Sequence, residues 1–546
     1  MAFLCMLPAL GGSVRALSHS TGPAGSNVQA VHAIGYTGQG VKIGFLSVDN
    51  VYADHPAFLE KDDAGTPIPG TSRVIIVNPP GVNVVLSSHD TQMAGILISS
   101  GAPAEPYQIG AAPGATLYDA RISGGIQQAI DALLAQGCNV IVSGFTYFSE
   151  PVKNDGKSLT TRMYDYYAFS DVIFATAAGN FNASDYPYHA PPSRPGDAYN
   201  GITTGGLIKP IADIYDKIGS RSLAGPTYDN RRKPEVAAPS PGQRVPTTGS
   251  AASWTTTSNP NDGLTSWAVP HTAGVAAVLL EYAQMDGQRD ANRSEVIKAV
   301  MVNSTFPNID DKSGNWTDPA NQTWHTDRGY GRLDALRAFE TLCAPKIIPG
   351  QTTNAPKGWA YQTLGPGQTH TFTLTAHKHQ RLVMTLTWHR RVVWKDRARW
   401  GGPLDGVIHE DELSVSLANL DLQLFDPDGC ALIAQPPTLD NLEKADIRLT
   451  KTGDYQITVS NLPTPTSESA HYALAFEVLE PLAGGENVRV VYDPEAPRAY
   501  EAPTERDEAA EWLVGFLEEA GGPVAPKEIV AAGQAAGFSR AMIYRA

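Results

Sequence analysis

Residues 264–280 read Leu-Thr-Ser-Trp-Ala-Val-Pro-His-Thr-Ala-Gly-Val-Ala-Ala-Val-Leu-Leu, without one Asp, Glu, Lys or Arg. The apolar part, Val275-Ala276-Ala277-Val278-Leu279-Leu280, reads as a helix with no polar face, so the fold has to enclose it. Ser266 then stands at the N-terminal mouth of that helix. Unpaired backbone N–H groups and the positive end of the helix dipole meet there, a setting suited to a developing oxyanion.

At 546 residues the chain exceeds one core, and length alone predicts about three or four domains. No apolar run reaches the ~18 residues of a membrane span. A net charge of −15 argues against general affinity for nucleic acid. The four cysteines (Cys5, Cys138, Cys343, Cys430) lack metal-ligand spacing and are too few for a disulfide scaffold. Cys138, between a helical pattern and an apolar strand, reads as a buried, inert thiol; pairing of Cys343 with Cys430 stays open. Residues 2–10 resemble a signal-peptide core with no basic segment before it. The expectation is a secreted or cell-envelope protein, with the cytoplasm left open.

The chain divides by its periodicity. Residues 1–25 are expected to be disordered or removed. Residues 26–343 alternate apolar strands (41–48, 115–122, 139–144, 172–177) with helical stretches such as 125–136, which predicts a parallel α/β sheet. In such sheets chemistry belongs to the loops at the strands' carboxyl ends. Residues 346–482 alternate apolar and polar side chains between turn signals, as in 369–375, 382–388, 420–425, 445–449 and 455–459. They predict an antiparallel β-sandwich of jelly-roll type. A Pro/Ala/Glu-rich linker (483–505) leads to a small helical tail (506–546) resembling a truncated helix-turn-helix. Only Lys527, Arg540 and Arg545 are basic near its end, so no nucleic-acid partner is expected.

A reactive serine needs a base, an orienting carboxylate behind the base, and oxyanion donors. His89 opens a helical stretch of small residues, Asp90-Thr91-Gln92-Met93-Ala94-Gly95. Asp49 closes the first strand, and Ala177-Ala178-Gly179-Asn180 closes another, with an amide able to donate.

These four blocks, in the order Asp, His, Asn, Ser, resemble the subtilisin-like serine proteases (subtilases). Gly110-Ala111-Ala112-Pro113-Gly114 and Lys233-Pro234-Glu235-Val236-Ala237-Ala238-Pro239 add to the likeness. The resemblance implies a serine endopeptidase with Ser266 as nucleophile, His89 as base and Asp49 as its orienting carboxylate. It also implies Asn180 as oxyanion donor, with Val142, Ser143, Gly144 and Phe145 pairing an extended protein or peptide substrate. No cofactor is needed for such chemistry. Asp421, Asp426 and Asp428 suggest structural calcium, but no full calcium loop is present and acidic turns are the simpler reading. His55, His189 and His271 read as structural.

Several positions depart from the family. Counted from Val41, the strict position of the aspartate falls on Ser47; Asp49 needs an extension or bulge, and Asp54 is the reserve. Asp90 replaces a glycine, Gln92 a second histidine and Leu264 another glycine. The alternative function is therefore a catalytically weak or inactive subtilase-fold protein that binds peptides. A third reading makes the sandwich and tail the working part and the first domain their scaffold.

Overall fold

The computed structural model describes residues 17–480 except 147–153, 182–190, 210–213, 251, 258–259, 287, 396–412, 435–439 and 465–467; beyond 480 it describes Ala532. The expected linker, the rest of the tail and residues 1–16 lie outside the described residues.

The apolar strands form one sheet whose central members, such as Val140–Ser143 and Ile173–Ala177, are buried on both faces, as parallel strands covered by helices must be. Its order is Lys217–Ile218, Ile202–Ile208, Ile173–Ala177, Val140–Ser143, Lys42–Ser47, Thr116–Arg121, Val74–Ile76, and Val236–Pro239 also pairs with Ile202–Ile208. All pairings are parallel except that of the edge strand Lys217–Ile218. The helix Thr265–Asp286 packs against five of these strands and against the helix Ser88–Ile98. Within it Pro270 has no N–H to give the Ser266 carbonyl, and Gln243 Nε2 donates to the next carbonyl, that of Trp267, at 3.1 Å. Glu281, on the same helix, accepts from the N–H groups of Thr37, Gly38 and Gln39 at 2.7–3.0 Å, tying down the turn before the first strand.

Order begins earlier than the disordered segment 1–25 anticipates. Leu17–Thr21 is a helical turn, with Leu17 in the core and its N–H on Gln108 Oε1 at 2.7 Å. Ser26 Oγ lies 3.2 Å from His271 Nδ1, whose Nε2 meets Gln243 Oε1 at 2.9 Å. His271 is thus a satisfied core histidine.

The second region is a β-sandwich. One sheet runs Thr352–Thr353, Thr369–Ala376, Gly453–Asn461, Leu420–Phe425, Ala431–Ala434; the other runs Lys357–Leu364, Ala470–Leu479, Arg381–Trp388, Leu442–Arg448. Leu382, Met384 and Leu386 fill the space between the sheets. The polar Thr385 and Thr387, which alternate with these apolar residues, meet the helix Ser294–Asn303, all ten residues of which are buried. Thr385 Oγ1 donates to Asn303 Oδ1 (3.0 Å), Thr387 Oγ1 to the Glu295 carbonyl (2.9 Å), and Lys444 Nζ to the carbonyls of Val302 and Asn303 (2.7 and 3.3 Å). An ammonium at a helix C-terminus complements both the unpaired carbonyls and the dipole. Beside it, Glu477 of the sandwich pairs with Arg337 (2.5 Å) and Lys357 (2.9 Å). These two cations hold its carboxyl down to about 2 against the pull of burial.

Cys138 is buried and pushed up to about 12 by desolvation, as an inert thiol should be; Cys343 and Cys430 do not form a disulfide with each other. Asp426 and Asp428 both bond Lys451, and Asp426 also caps its own turn through the N–H groups of Asp428 and Cys430. Asp421 accepts from Gln423. Among the described residues no cluster of three or more His, Cys, Asp or Glu could hold a metal ion, and no helix is long and apolar enough to cross a membrane.

Two outcomes follow for stability. Glu477→Gln leaves Arg337 and Lys357 without their shared counter-charge and costs about 3–5 kcal/mol, read as a lower guanidinium midpoint at unchanged slope. His271 is held down to about 3 by burial, below its unfolded value of 6.5. Its contribution is therefore complete above pH 6.5 and is lost as pH falls toward 3. His271→Gln should show a smaller drop in midpoint between pH 7.5 and pH 4.5 than the parent chain; an equal drop would contradict that assignment.

Candidate active site

The helix Ser88–Ile98 begins at Ser87, whose Oγ accepts from the Asp90 N–H at 3.2 Å. This cap places His89 at the very start of the helix and Asp90 in its first turn. The next turns stay small because of what they pack on: a Cβ on Gly95 would lie 2.2 Å from Pro246 Cδ. The serine helix is equally confined, since a Cβ on Gly274 would lie 2.3 Å from the Ala111 Cβ. Ser266, 6% exposed, lies in the first turn of its helix. Its Oγ donates to the Gly144 carbonyl at 3.0 Å, just past the end of the strand Val140–Ser143.

Asn180 follows the strand Ile173–Ala177. Its Oδ1 accepts from the Thr265 N–H at 2.8 Å and from Thr265 Oγ1 at 3.1 Å, while Thr265 Oγ1 accepts from the Gly179 N–H at 3.1 Å. Two donors on the oxygen fix which way the amide faces. Asn180 Nδ2 has no partner among the described residues, so an N–H donor is left available beside the serine. Thr265, which does this orienting, was not anticipated from sequence.

The His89 side chain is 45% exposed, and its ring lies 4.9 Å from that of Trp267, the residue after Ser266. Strand ends and helix starts therefore bring His89, Asn180, Ser266 and Gly144 to one end of the sheet. No hydrogen bond joins His89 to Ser266 in this arrangement.

The aspartate departs from expectation. Asp49 Oδ1 bonds Arg121 Nη2 at 2.6 Å and forms no hydrogen bond or ion pair with His89; the reserve, Asp54, is exposed and forms none with it either. Arg121 further clamps the loop through the carbonyls of Val48 (3.2 Å) and Asn83 (2.6 Å). Ser47, at the strict strand position, donates to Asp119 Oδ1 at 2.5 Å. Asp119 Oδ2 also accepts from Asn50 Nδ2 (3.0 Å) and the Val51 N–H (2.8 Å). Burial nevertheless pushes that carboxyl up to about 7. A lone acid inside the apolar strand 115–122 was the sequence signal for it. The carboxylate that does approach His89 is Asp90, with Oδ1 3.5 Å from Nδ1.

The substrate edge also narrows. Val142 and Ser143 are paired on both sides, with Phe45 and Leu46 on one flank and Ala175 and Thr176 on the other. They have no free edge for a further strand; Gly144 and Phe145 lie beyond the pairing. Of the loops 147–157 and 185–197, residues 147–153 and 185–190, His189 among them, lie outside the described residues.

A second serine and histidine meet elsewhere. Ser294 Oγ is 3.5 Å from His389 Nε2, and His389 Nδ1 is 3.6 Å from Glu295 Oε1. All three are buried where the helix Ser294–Asn303 meets the sandwich, and desolvation holds His389 down to about 3. A neutral imidazole without access to solvent fits a packed seam, not a site that must admit a peptide. His55 is likewise structural, with Nε2 on the Ser253 carbonyl at 3.0 Å.

Among solved structures, the chain is similar to the MycP3 protease from the type VII (ESX-3) secretion system, at 16% identity over 60% of this chain and 89% of that one, with a TM-score of 0.42. It is similar also to MycP1 with its N-terminal propeptide removed, at 16% identity over 57% and 94%, with a TM-score of 0.37. The subtilase family model matches residues 77–332, starting beyond the first strand and Asp49 and taking in His89, Asn180 and Ser266. Residues 77–332 are a subtilase-family domain.

Proposed function

We propose that the chain is a serine endopeptidase that cleaves peptide bonds through an acyl-enzyme. The observation that carries this reading is the setting of Ser266: at the start of a buried helix, next to an amide whose oxygen is tied to Thr265 and whose nitrogen has no partner among the described residues. Ser266 Oγ attacks the scissile carbonyl, and His89 takes its proton and returns it to the leaving amine. Attack requires the hydroxyl to swing from the Gly144 carbonyl to the imidazole, a torsional change within the side chain. Asn180 Nδ2 and the Ser266 N–H receive the oxyanion. Substrate lies extended along Gly144 and Phe145, where strand pairing has ended. Carboxyl and imidazole chemistry suffices, with no metal or organic cofactor in the reaction.

We read the sandwich as a jelly roll. Counting its eight long strands in chain order, its sheets run 1-8-3-6 and 2-7-4-5, which supports that topology.

A second reading is a peptide-binding protein on the same fold that does not cleave. The absence of a His89–Ser266 hydrogen bond and the engagement of Asp49 by Arg121 favour it. A fluorophosphonate probe separates the two. Covalent labelling that vanishes in Ser266→Ala, and slows about 10²–10³-fold in Asn180→Ala, is expected of the peptidase. Folded parent chain that binds peptides and takes up no probe would establish the binder instead.

A further inference from the structure

We infer that the carboxylate orienting His89 is Asp90, its own neighbour on the helix, and not an aspartate from the first strand. The inference rests on the reading of Ser266 and His89 as nucleophile and base.

Three aspartates lie near enough to be considered, and their partners distinguish them. Asp49 spends its carboxylate on Arg121 at 2.6 Å. Asp119 is enclosed by donors from Ser47, Asn50 and Val51, which form a closed set around it. Asp90 alone reaches the imidazole, with Oδ1 3.5 Å from His89 Nδ1.

Asp90 is also built to stay in place. Its side chain is 6% exposed, its other oxygen accepts from the Asp49 N–H at 3.2 Å, and its own N–H is capped by Ser87 Oγ. Asp49 therefore still has a part, but through its backbone: it steadies the carboxylate that replaces it. The first turn of a helix favours an anion, and a largely desolvated carboxylate holds a neighbouring Nδ1–H more strongly than an exposed one would. An imidazole whose Nδ1 faces Asp90 presents Nε2 on its opposite edge, the nitrogen a serine base must use.

This arrangement connects two departures from the family that otherwise look independent. Loss of the strand aspartate at Ser47 and gain of an acid at residue 90 are one relocation of charge. The new carboxylate comes from the helix that carries the base, not from the sheet. Such a neighbour is tied to His89 by one peptide unit, so its approach is set by local backbone and by the Ser87 cap.

Asp90→Asn is close to isosteric and keeps an oxygen for the Asp49 N–H while removing the charge. In the full chain it should lower kcat by about 10²–10⁴-fold with KM little changed, and far more than Asp49→Asn does. The tautomer is read without turnover. With ¹⁵N-histidine label, and the His89 signals assigned by their loss in His89→Gln, the parent should show Nδ1 protonated above the imidazole titration. Asp90→Asn should shift the proton toward Nε2. A larger kcat loss in Asp49→Asn than in Asp90→Asn, or identical His89 tautomers in parent and Asp90→Asn, overturns the assignment. A parent chain without turnover or probe labelling refutes the peptidase reading instead, and the tautomer measurement still decides between the carboxylates.

Discussion

The helix Thr265–Asp286 sets the terms for the rest of the molecule. It carries no charged side chain through Leu280 and every residue from Thr265 to Leu280 is buried, so it is stable only when enclosed. The sheet encloses it on one side and the helix Ser88–Ile98 on another, and Gly274 lies so close to Ala111 that an added Cβ would clash. That tight packing fixes where its first turn stops. Ser266 is thereby set beside the strand ends that bring up Gly144 and Asn180, and beside the helix start that brings up His89. The site is a consequence of burying this helix.

A second enclosure joins the two regions. The helix Ser294–Asn303 has no exposed residue, because the sheet containing Arg381–Trp388 and Ala470–Leu479 covers the side that the α/β region leaves open. Polar groups on that sheet are spent on the helix: Thr387 and Thr385 along it and Lys444 at its C-terminal carbonyls. Glu477 adds a charge pairing across the same seam. The sandwich is thus part of the stability of the first region. Its contribution to the site is indirect, since none of its described residues contacts His89, Asn180 or Ser266.

Much of this was legible in the residues. Buried strands such as Val140–Ser143 announce themselves as short apolar runs, and the loops after them are where the site lies. The serine, the histidine and the asparagine each sit at a junction marked by small residues. What could not be read is pairing between distant segments. Arg121 claims Asp49 from 72 residues away, and nothing local to either shows it. Val142 and Ser143 seemed open to a substrate because one sequence does not tell which strands flank which. Thr385 and Thr387 belong to an apolar–polar alternation, yet they face a helix, since period-two patterning says that a face is polar without saying what covers it. The carboxylate beside His89 was in plain view as an unusual Asp90, but its value lies in geometry: a cap, a backbone donor and burial acting on one side chain.

The most direct measurement is a crystal structure of the full chain with a peptide aldehyde. Attack by Ser266 should give a hemiacetal on its Oγ, with the new oxygen within hydrogen-bond distance of Asn180 Nδ2 and the peptide running along Gly144 and Phe145. A peptide bound in that groove with its aldehyde unreacted, or an adduct on any other side chain, would contradict the assignment of Ser266 as the nucleophile.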